Sequence, residues 1–243
     1  MYKGAIIGGT GFEDLGQKEG RKEIFKTPFG EAELFLGDEL VFVSRHHANH
    51  SIAPGLVNFR ANIWALKELG VKSVIASYCV GSITERLPPG TVGIVQDFVD
   101  LSKGRCNTFF DGSVFPLKHT DLTNLVDQTL ADEFTKFAEK DNLPLSNRRG
   151  IYVCTSGPRF ETVAEIKAFK MLGCDYVGMT MGTEAPLCIE AGMSYLPVAF
   201  SINWAAGISH SSISFLSDNK VMFLSQRITM TAIDTLTHHL SEN

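Results

Sequence analysis

Ala5-Ile6-Ile7-Gly8-Gly9-Thr10-Gly11, close to the amino terminus, sets three apolar residues against a run of glycines. A short, β-branched apolar run of this kind suits a strand buried on both faces of a sheet, and the glycines end it in a turn. The same alternation recurs down the chain. Further runs at 40–44, 73–77, 91–95, 150–154, 176–179 and 195–202 are bounded by Gly, Pro or Asn. Between several of them lie helix-period segments at 57–68, 122–140, 161–172 and 184–191. Three of these run into Gly70, Gly173 and Gly192, the usual stop signal just past a helix. A last segment, 218–240, keeps Val221, Leu224, Ile228, Ala232, Ile233 and Leu236 on one face and reads as a carboxy-terminal helix packed on the rest. Strands alternating with helices predict an α/β fold with a central mixed, largely parallel sheet flanked by helices. No repeat, low-complexity tract or linker divides residues 1–243, which read as a single domain. The stretch 100–121, polar and rich in Phe, is the longest without periodicity. Loops of that length are commonly functional or contact a neighbouring subunit.

Composition narrows the function. With 243 residues, 44% hydrophobic and 20% charged, the chain can bury roughly 70 to 75% of its unfolded surface and needs no disulfide or metal staple. Its 22 basic and 27 acidic residues are scattered singly and sum to -5. That leaves no basic stripe, so nucleic acid and anionic lipid are discounted as partners. The five cysteines, Cys79, Cys106, Cys154, Cys174 and Cys188, form no CxxC pair. They read as reduced, buried thiols of a cytoplasmic protein, neither a zinc site nor a disulfide framework. No stretch approaches the 18 or so apolar residues of a membrane span, so a soluble, unexported protein is expected.

Six turns, each following an apolar strand, hold the residues that could carry chemistry. In the first, Gly8 to Gly11, backbone N–H groups and the Thr10 hydroxyl could cradle an anion, or the glycines could merely allow a tight turn. A dinucleotide fingerprint fits poorly, because Asp14 falls at its third glycine position, and a Walker loop lacks its Gly-Lys-Ser/Thr. In the second, Arg45-His46-His47 could form an oxyanion site or a solvated basic loop. His50 lies nearby, but no carboxylate stands at metal-ligand spacing, and Asn49 and Ser51 are poor partners for a metal. The third, Cys79-Val80-Gly81-Ser82, reads as a small-residue turn at the carboxyl end of a strand, where open α/β sheets bind ligands. The fourth, Thr155 to Thr162, opens a helix, with Glu161 read as a first-turn carboxylate and Arg159 as an ion-pair partner. The fifth is Gly178 to Glu184, with Glu184 at a helix start. The sixth is Ser201-Ile202-Asn203-Trp204-Ala205-Ala206-Gly207, where a strand ends in an amide beside an aromatic.

In order and spacing these turns resemble the purine nucleoside phosphorylase and methylthioadenosine phosphorylase family. The resemblance rests on AIIGGTG at 5–11, SRHH at 44–47, VNFRANIWALKELG at 57–70, TSGPRFETVAEI at 155–166, GCDYVGMT at 173–180 and SIN at 201–203, and it spans nearly the whole chain. It implies a partly barrel-like sheet and phosphorolysis, in which inorganic phosphate as co-substrate displaces a purine from C1' of a nucleoside with no metal or organic cofactor. It also implies a homotrimer, with the neighbour contributing from the Phe109-Phe110 loop. By resemblance the phosphate site comprises Thr10, Arg45, His46, the backbone at Cys79, and Thr180. Met179 flanks the ribose, and Phe160, Glu161, Asn203, Trp204 and Ala205 meet the substrate, with Asn203 and His46 as the catalytic pair. The adenine-specific branch has aspartate where Asn203 stands and a small hydroxyl residue where Glu161 stands. An amide can donate to O6 and N7 of a purine, and an ionised Glu161 suits the N1–H of hypoxanthine or guanine. The expected substrate is therefore a 6-oxopurine nucleoside. The segment Asn203 to Gly207 favours S-methyl-5'-thioinosine, while Ser209, His210, Ser211 and Ser212 suit the 5'-hydroxyl of inosine or guanosine.

The sequence departs from the family at Thr183, where a proline is expected, at Tyr78, where the adenine branch has threonine near phosphate, and at Trp204. Thr183 puts the turn geometry in question, Tyr78 leaves only a backbone contact to phosphate, and Trp204 could crowd or stack on the base. The rival readings are an inosine or guanosine phosphorylase, a methylthioadenosine phosphorylase, a nucleosidase using water, and a non-catalytic purine-binding protein on the same fold.

Overall fold

The apolar runs become strands because their residues are buried on both faces. In the computed structural model, which describes residues 2–12, 20–47, 51–209 and 212–239, β1 (Gly4–Gly8) and β4 (Leu40–Ser44) are buried throughout. Asp14, Asn49, His50, His210, Ser211 and Leu240 lie outside the described residues. The remaining strands are β2 (Arg21–Thr27), β3 (Gly30–Leu36), β5 (Ser73–Ser82), β6 (Val92–Asp100), β7 (Gly150–Cys154), β8 (Tyr176–Gly178) and β9 (Ser194–Trp204). The helices are α1 (Phe59–Glu68), α2 (Gln128–Lys140), α3 (Val163–Met171), α4 (Met181–Glu190) and α5 (Asp218–His239).

The nine strands run in the order β2-β3-β4-β1-β5-β8-β7-β6-β9, and β9 pairs back onto β5. Strands β5, β8, β7, β6 and β9 thus close on themselves, while β1, β4, β3 and β2 extend the sheet outward. This is the mixed, partly barrel-like sheet expected from the sequence: β1 pairs in parallel with β4 and β5, β5 with β9, and β7 with β6 and β8. Closure puts the carboxyl ends of β1, β4, β5 and β9 side by side. Backbone bonds tie them there, with Arg45 N–H donating to Gly8 O at 2.8 Å and Ala205 N–H to Ser82 O at 2.9 Å. From α5, Ser225 Oγ donates to Gly11 O at 2.6 Å and pins the glycine turn from outside.

Several boundaries move, each for a local reason. β5 continues to Ser82, so Cys79 to Ser82 is strand, with a register shift between Val80 and Gly81, and not a turn. α2 starts at Gln128 and not Leu122, because Asp127 accepts Leu130 N–H as its cap. α3 starts at Val163 behind the Thr162 cap, which leaves Glu161 outside the helix. α4 starts three residues before Glu184, so the missing proline at Thr183 does not prevent the turn; the Thr183 hydroxyl is buried with no hydrogen-bond partner among the described residues. The hairpin β2–β3 is an element that sequence periodicity does not announce. Arg21-Lys22-Glu23-Ile24-Phe25-Lys26-Thr27 alternates charge with modest apolarity and is half exposed at the sheet edge. Gly70, Gly173 and Gly192 all adopt positive φ after α1, α3 and α4, as their helix-stop reading requires. Of the cysteines, Cys154, Cys174 and Cys188 are buried, whereas Cys106 is exposed. No helix of the described residues is long and apolar enough to cross a membrane.

Candidate active site

The strand ends converge on a cavity of about 580 Å³, within the usual range for small-molecule sites. Its wall includes Gly9, Thr10, Arg45, His46, Cys79, Phe160, Glu161, Met179, Thr180, Asn203 and Ala205. Every site residue expected from sequence is therefore gathered there except Trp204, whose side chain does not line the cavity. Five of the six turns, and the end of β5 that stands in place of the third, meet in one place.

At one end stands the pair Arg45 and His46. Arg45 is 1% exposed and is clamped by Glu184: Nε donates to Oε2 at 2.8 Å and Nη2 to Oε1 at 2.6 Å. Its Nη1 donates to Ser77 O at 3.1 Å and lies 2.8 Å from where a Cβ on Gly9 would stand. Gly9 is thus glycine because the guanidinium occupies the place of a side chain. Burial works against the charge on Arg45, yet the adjacent Glu184 carboxylate overcomes it and holds the guanidinium's pKa above its ordinary value. His46 Nδ1 contacts Ile52 O at 2.8 Å. A carbonyl only accepts, so the proton sits on Nδ1 and the Nε2 edge faces the Gly9 turn, 3.6 Å from its Cβ position. Thr180 precedes α4 without using its side chain as a cap. The backbone N–H groups at that helix start are already taken, those of Thr180 and Met181 by the Tyr152 hydroxyl, that of Gly182 by Cys154 and that of Thr183 by Thr180 O, so what this turn offers an anion is the Thr180 hydroxyl.

At the other end, Glu161 accepts a 2.7 Å hydrogen bond from Thr155 Oγ1, which orients the carboxylate along the wall. Its first-turn role in α3 belongs instead to Glu165. Asn203 is 5% exposed, and its Nδ2 donates to Trp204 O at 2.9 Å. Gly81 makes room for that amide, since a Cβ there would come within 3.1 Å of Nδ2. Phe160 and Phe215 meet at 5.5 Å between ring centroids and border the opening. Ile52, Ala53 and Ile213 supply further apolar wall.

Residues that sequence reasoning passed over support this wall from behind. Arg105, in the aperiodic loop, donates to the carbonyls of Met179 and Ser156 and so ties two site turns together. Tyr152 accepts the Thr180 N–H at 3.3 Å. Tyr78 turns its hydroxyl away from the cavity to Glu184, consistent with a backbone-only role for β5 at the anion end. Phe109 is fully buried against Phe29 and Trp64 of its own chain.

Comparison with known proteins covers nearly the whole chain. The model of the phosphorylase superfamily matches residues 3–236. The 6-oxopurine nucleoside phosphorylase of Pyrococcus furiosus is 41% identical over 234 residues, covering 90% of this chain and 88% of its own. A Methanopyrus kandleri protein named "Probable S-methyl-5'-thioinosine phosphorylase" is 41% identical over 214 residues, covering 86% of this chain and 81% of its own. Among solved structures, methylthioadenosine phosphorylase of Schistosoma mansoni in its apo form superposes with a TM-score of 0.89 at 28% identity, covering 100% of this chain and 93% of the other.

Proposed function

The chain belongs to the phosphorylase superfamily, and from the two ends of its cavity we propose that it cleaves a 6-oxopurine nucleoside by phosphorolysis, with S-methyl-5'-thioinosine preferred over inosine and guanosine. The observation that carries this is the pairing, across one cavity, of a fixed anion site at Arg45 and His46 with an acceptor–donor edge made by Glu161 and Asn203. Phosphate is held by Thr10, Arg45, His46, Thr180 and the backbone at Cys79. One of its oxygens attacks C1' of the sugar as the bond from C1' to N9 of the purine breaks. The electron pair of that bond passes to the purine ring, where an Asn203 donor stabilises it at N7 or O6 while Glu161 accepts N1–H, and the proton that hydrogen phosphate gives up on forming the sugar ester ends on the purine. No protein nucleophile is needed. Fixed donors in a water-poor site act where the charge develops and need no reorganisation. The products are hypoxanthine and 5-methylthioribose 1-phosphate. The apolar wall of Ile52, Ala53, Ile213 and Phe215 suits a methylthio group better than a hydroxyl. The reaction runs in the cytoplasm without metal or organic cofactor, nucleic acid or membrane, and the enzyme is a homotrimer. Sedimentation at three times the chain mass supports that last point; a monomer overturns it.

The deciding experiment is turnover of methylthioinosine, inosine, guanosine and methylthioadenosine with and without phosphate. Phosphate-dependent release of hypoxanthine, fastest from methylthioinosine, is expected. Release without phosphate makes the protein a nucleosidase, and binding of hypoxanthine with no cleavage makes it a binding protein. For the base edge, Asn203→Asp combined with Glu161→Ser should move preference toward 6-aminopurines. Mispaired buried polar groups discriminate by up to about 10⁴-fold, so an unchanged ratio of inosine-type to adenosine-type turnover refutes the two assignments.

A further inference from the structure

Arg45 cannot turn. Two of its three nitrogens are spent on the Glu184 carboxylate, and the third is held between Ser77 O and the bare Cα of Gly9. What fixes Glu184 in turn is a second layer that never meets the cavity. Tyr78 Oη donates to Glu184 Oε1 at 2.6 Å, and the same hydroxyl meets Tyr195 Oη. The Tyr78 ring also lies beneath the guanidinium, 4.6 Å from its carbon to the ring centroid. Tyr78 and Tyr195 stand on β5 and β9, the two strands whose pairing closes the sheet. All four residues are buried, with at most 1% exposure.

Stability alone does not account for this group. Buried ion pairs can be replaced by apolar residues of similar volume at little or no loss, so stability is a weak account of this one. Nor does net charge account for it, because Glu184 cancels Arg45 at close range. What the group leaves for an anion is direction: one N–H edge held at the Gly9 turn in a low-dielectric surround. We propose that Tyr78 and Tyr195, acting through Glu184, are positioning residues for the phosphate co-substrate, aligning Arg45 Nη1 with the glycine turn. This inference rests on the phosphorolytic reading above. It assigns Tyr78 a task in place of the threonine that it displaces.

The test uses the full-length protein, with Tyr78→Phe and Tyr195→Phe each measured in two ways. In steady-state turnover Tyr78→Phe should raise the KM for phosphate about tenfold, the scale of one hydrogen bond to a charged group, with the nucleoside KM within about twofold of the parent. Tyr195→Phe, one layer further out, should give about threefold in the same direction. Calorimetric titration with inorganic phosphate alone should show the same loss in Kd. If the KM values for phosphate and nucleoside rise together, or neither moves, the tyrosines are merely structural and the proposal falls. Phosphate binding that weakens in the variants of a protein that turns over no nucleoside sustains the positioning role and refutes phosphorolysis. Absence of phosphate binding in the parent overturns both. Should Tyr78→Phe fail to fold, Tyr195→Phe decides by the same criteria.

Discussion

Gly9 shows how a single missing side chain shapes the site. Arg45 Nη1 would stand 2.8 Å from a Cβ at that position and the edge of His46 3.4 Å away, while Glu184 prevents the guanidinium from retreating. Gly9→Ala should therefore displace the cation from the anion site and leave the Glu161–Asn203 edge untouched. A shift of about 1 Å in a positioned group can lower rates about 10²-fold, and that loss is expected in kcat/KM for phosphate, with hypoxanthine affinity unchanged. Equal losses for phosphate and hypoxanthine in titration would contradict the separation of the two ends. The residues at this scale that face the cavity were legible in the sequence. Gly9, Arg45, His46, Glu161 and Asn203 follow apolar runs, and their chemical types suit an anion and a purine. Their supports were not legible. Glu184 lies 139 residues from Arg45 and Arg105 lies 74 from Met179; such pairings exist only once the sheet has closed. Trp204 misled for a related reason, since its neighbours at 203 and 205 line the cavity while its own side chain does not.

The amino terminus of α3 carries a reciprocal cap at the element scale. Glu165 N–H donates to Thr162 Oγ1 at 3.2 Å, Thr162 N–H donates to Glu165 Oε2 at 2.7 Å, and Arg159 grips both carboxylate oxygens. The spacing Thr-x-x-Glu was available in the sequence and would have placed the helix start correctly, freeing Glu161 for the cavity. The hairpin β2–β3 offered no comparable signal, because an edge strand half in water needs no continuous apolar run. Hydrogen bonds from Arg159 and from the Thr162 backbone hold the Glu165 carboxyl down at about 2, against an ordinary 4.5. The folded-state value is depressed, so this contribution is complete above about pH 4.5 and is lost as pH falls toward 2. A carboxyl-carbon NMR titration of Glu165 should show its midpoint near 2; a midpoint at 4 or above would show that the cap does not form. Thr162→Ala should cost about 1 kcal/mol, lowering Tm by roughly 2 to 4 °C in a chain of this size. Because Glu161 is the residue before the cap, the same substitution should weaken hypoxanthine binding more than phosphate binding.

Across the whole molecule, closure of the sheet is what turns six separate strand ends into one cavity, and tyrosines fill the space that closure creates. Tyr78, Tyr152, Tyr176 and Tyr195 come from β5, β7, β8 and β9 and are each at most 1% exposed. Room for them is made by glycines on neighbouring strands: a Cβ on Gly178 would overlap the Tyr152 hydroxyl, and one on Gly150 the Tyr176 hydroxyl. The glycines of this chain therefore serve two ends, admitting an anion at Gly9 and admitting aromatic rings at Gly150 and Gly178. Only the first use is visible in sequence, because a glycine inside a strand does not name the side chain that comes to occupy its place. The two uses separate experimentally. Gly178→Ala must push Tyr152 aside in a packed interior, where overpacking typically costs about 1 to 3 kcal/mol. Tyr152 also accepts the Thr180 N–H, so the displacement reaches the anion site. The expected result is a lower Tm together with a raised phosphate KM. Gly150→Ala, whose clash is with Tyr176 and whose ring bonds Ile94 O away from the cavity, should lower Tm to a similar degree while leaving the phosphate KM unchanged. If both variants raise the phosphate KM alike, the anion site responds to general loosening of the closed sheet, and the specific path through Tyr152 and Thr180 is wrong.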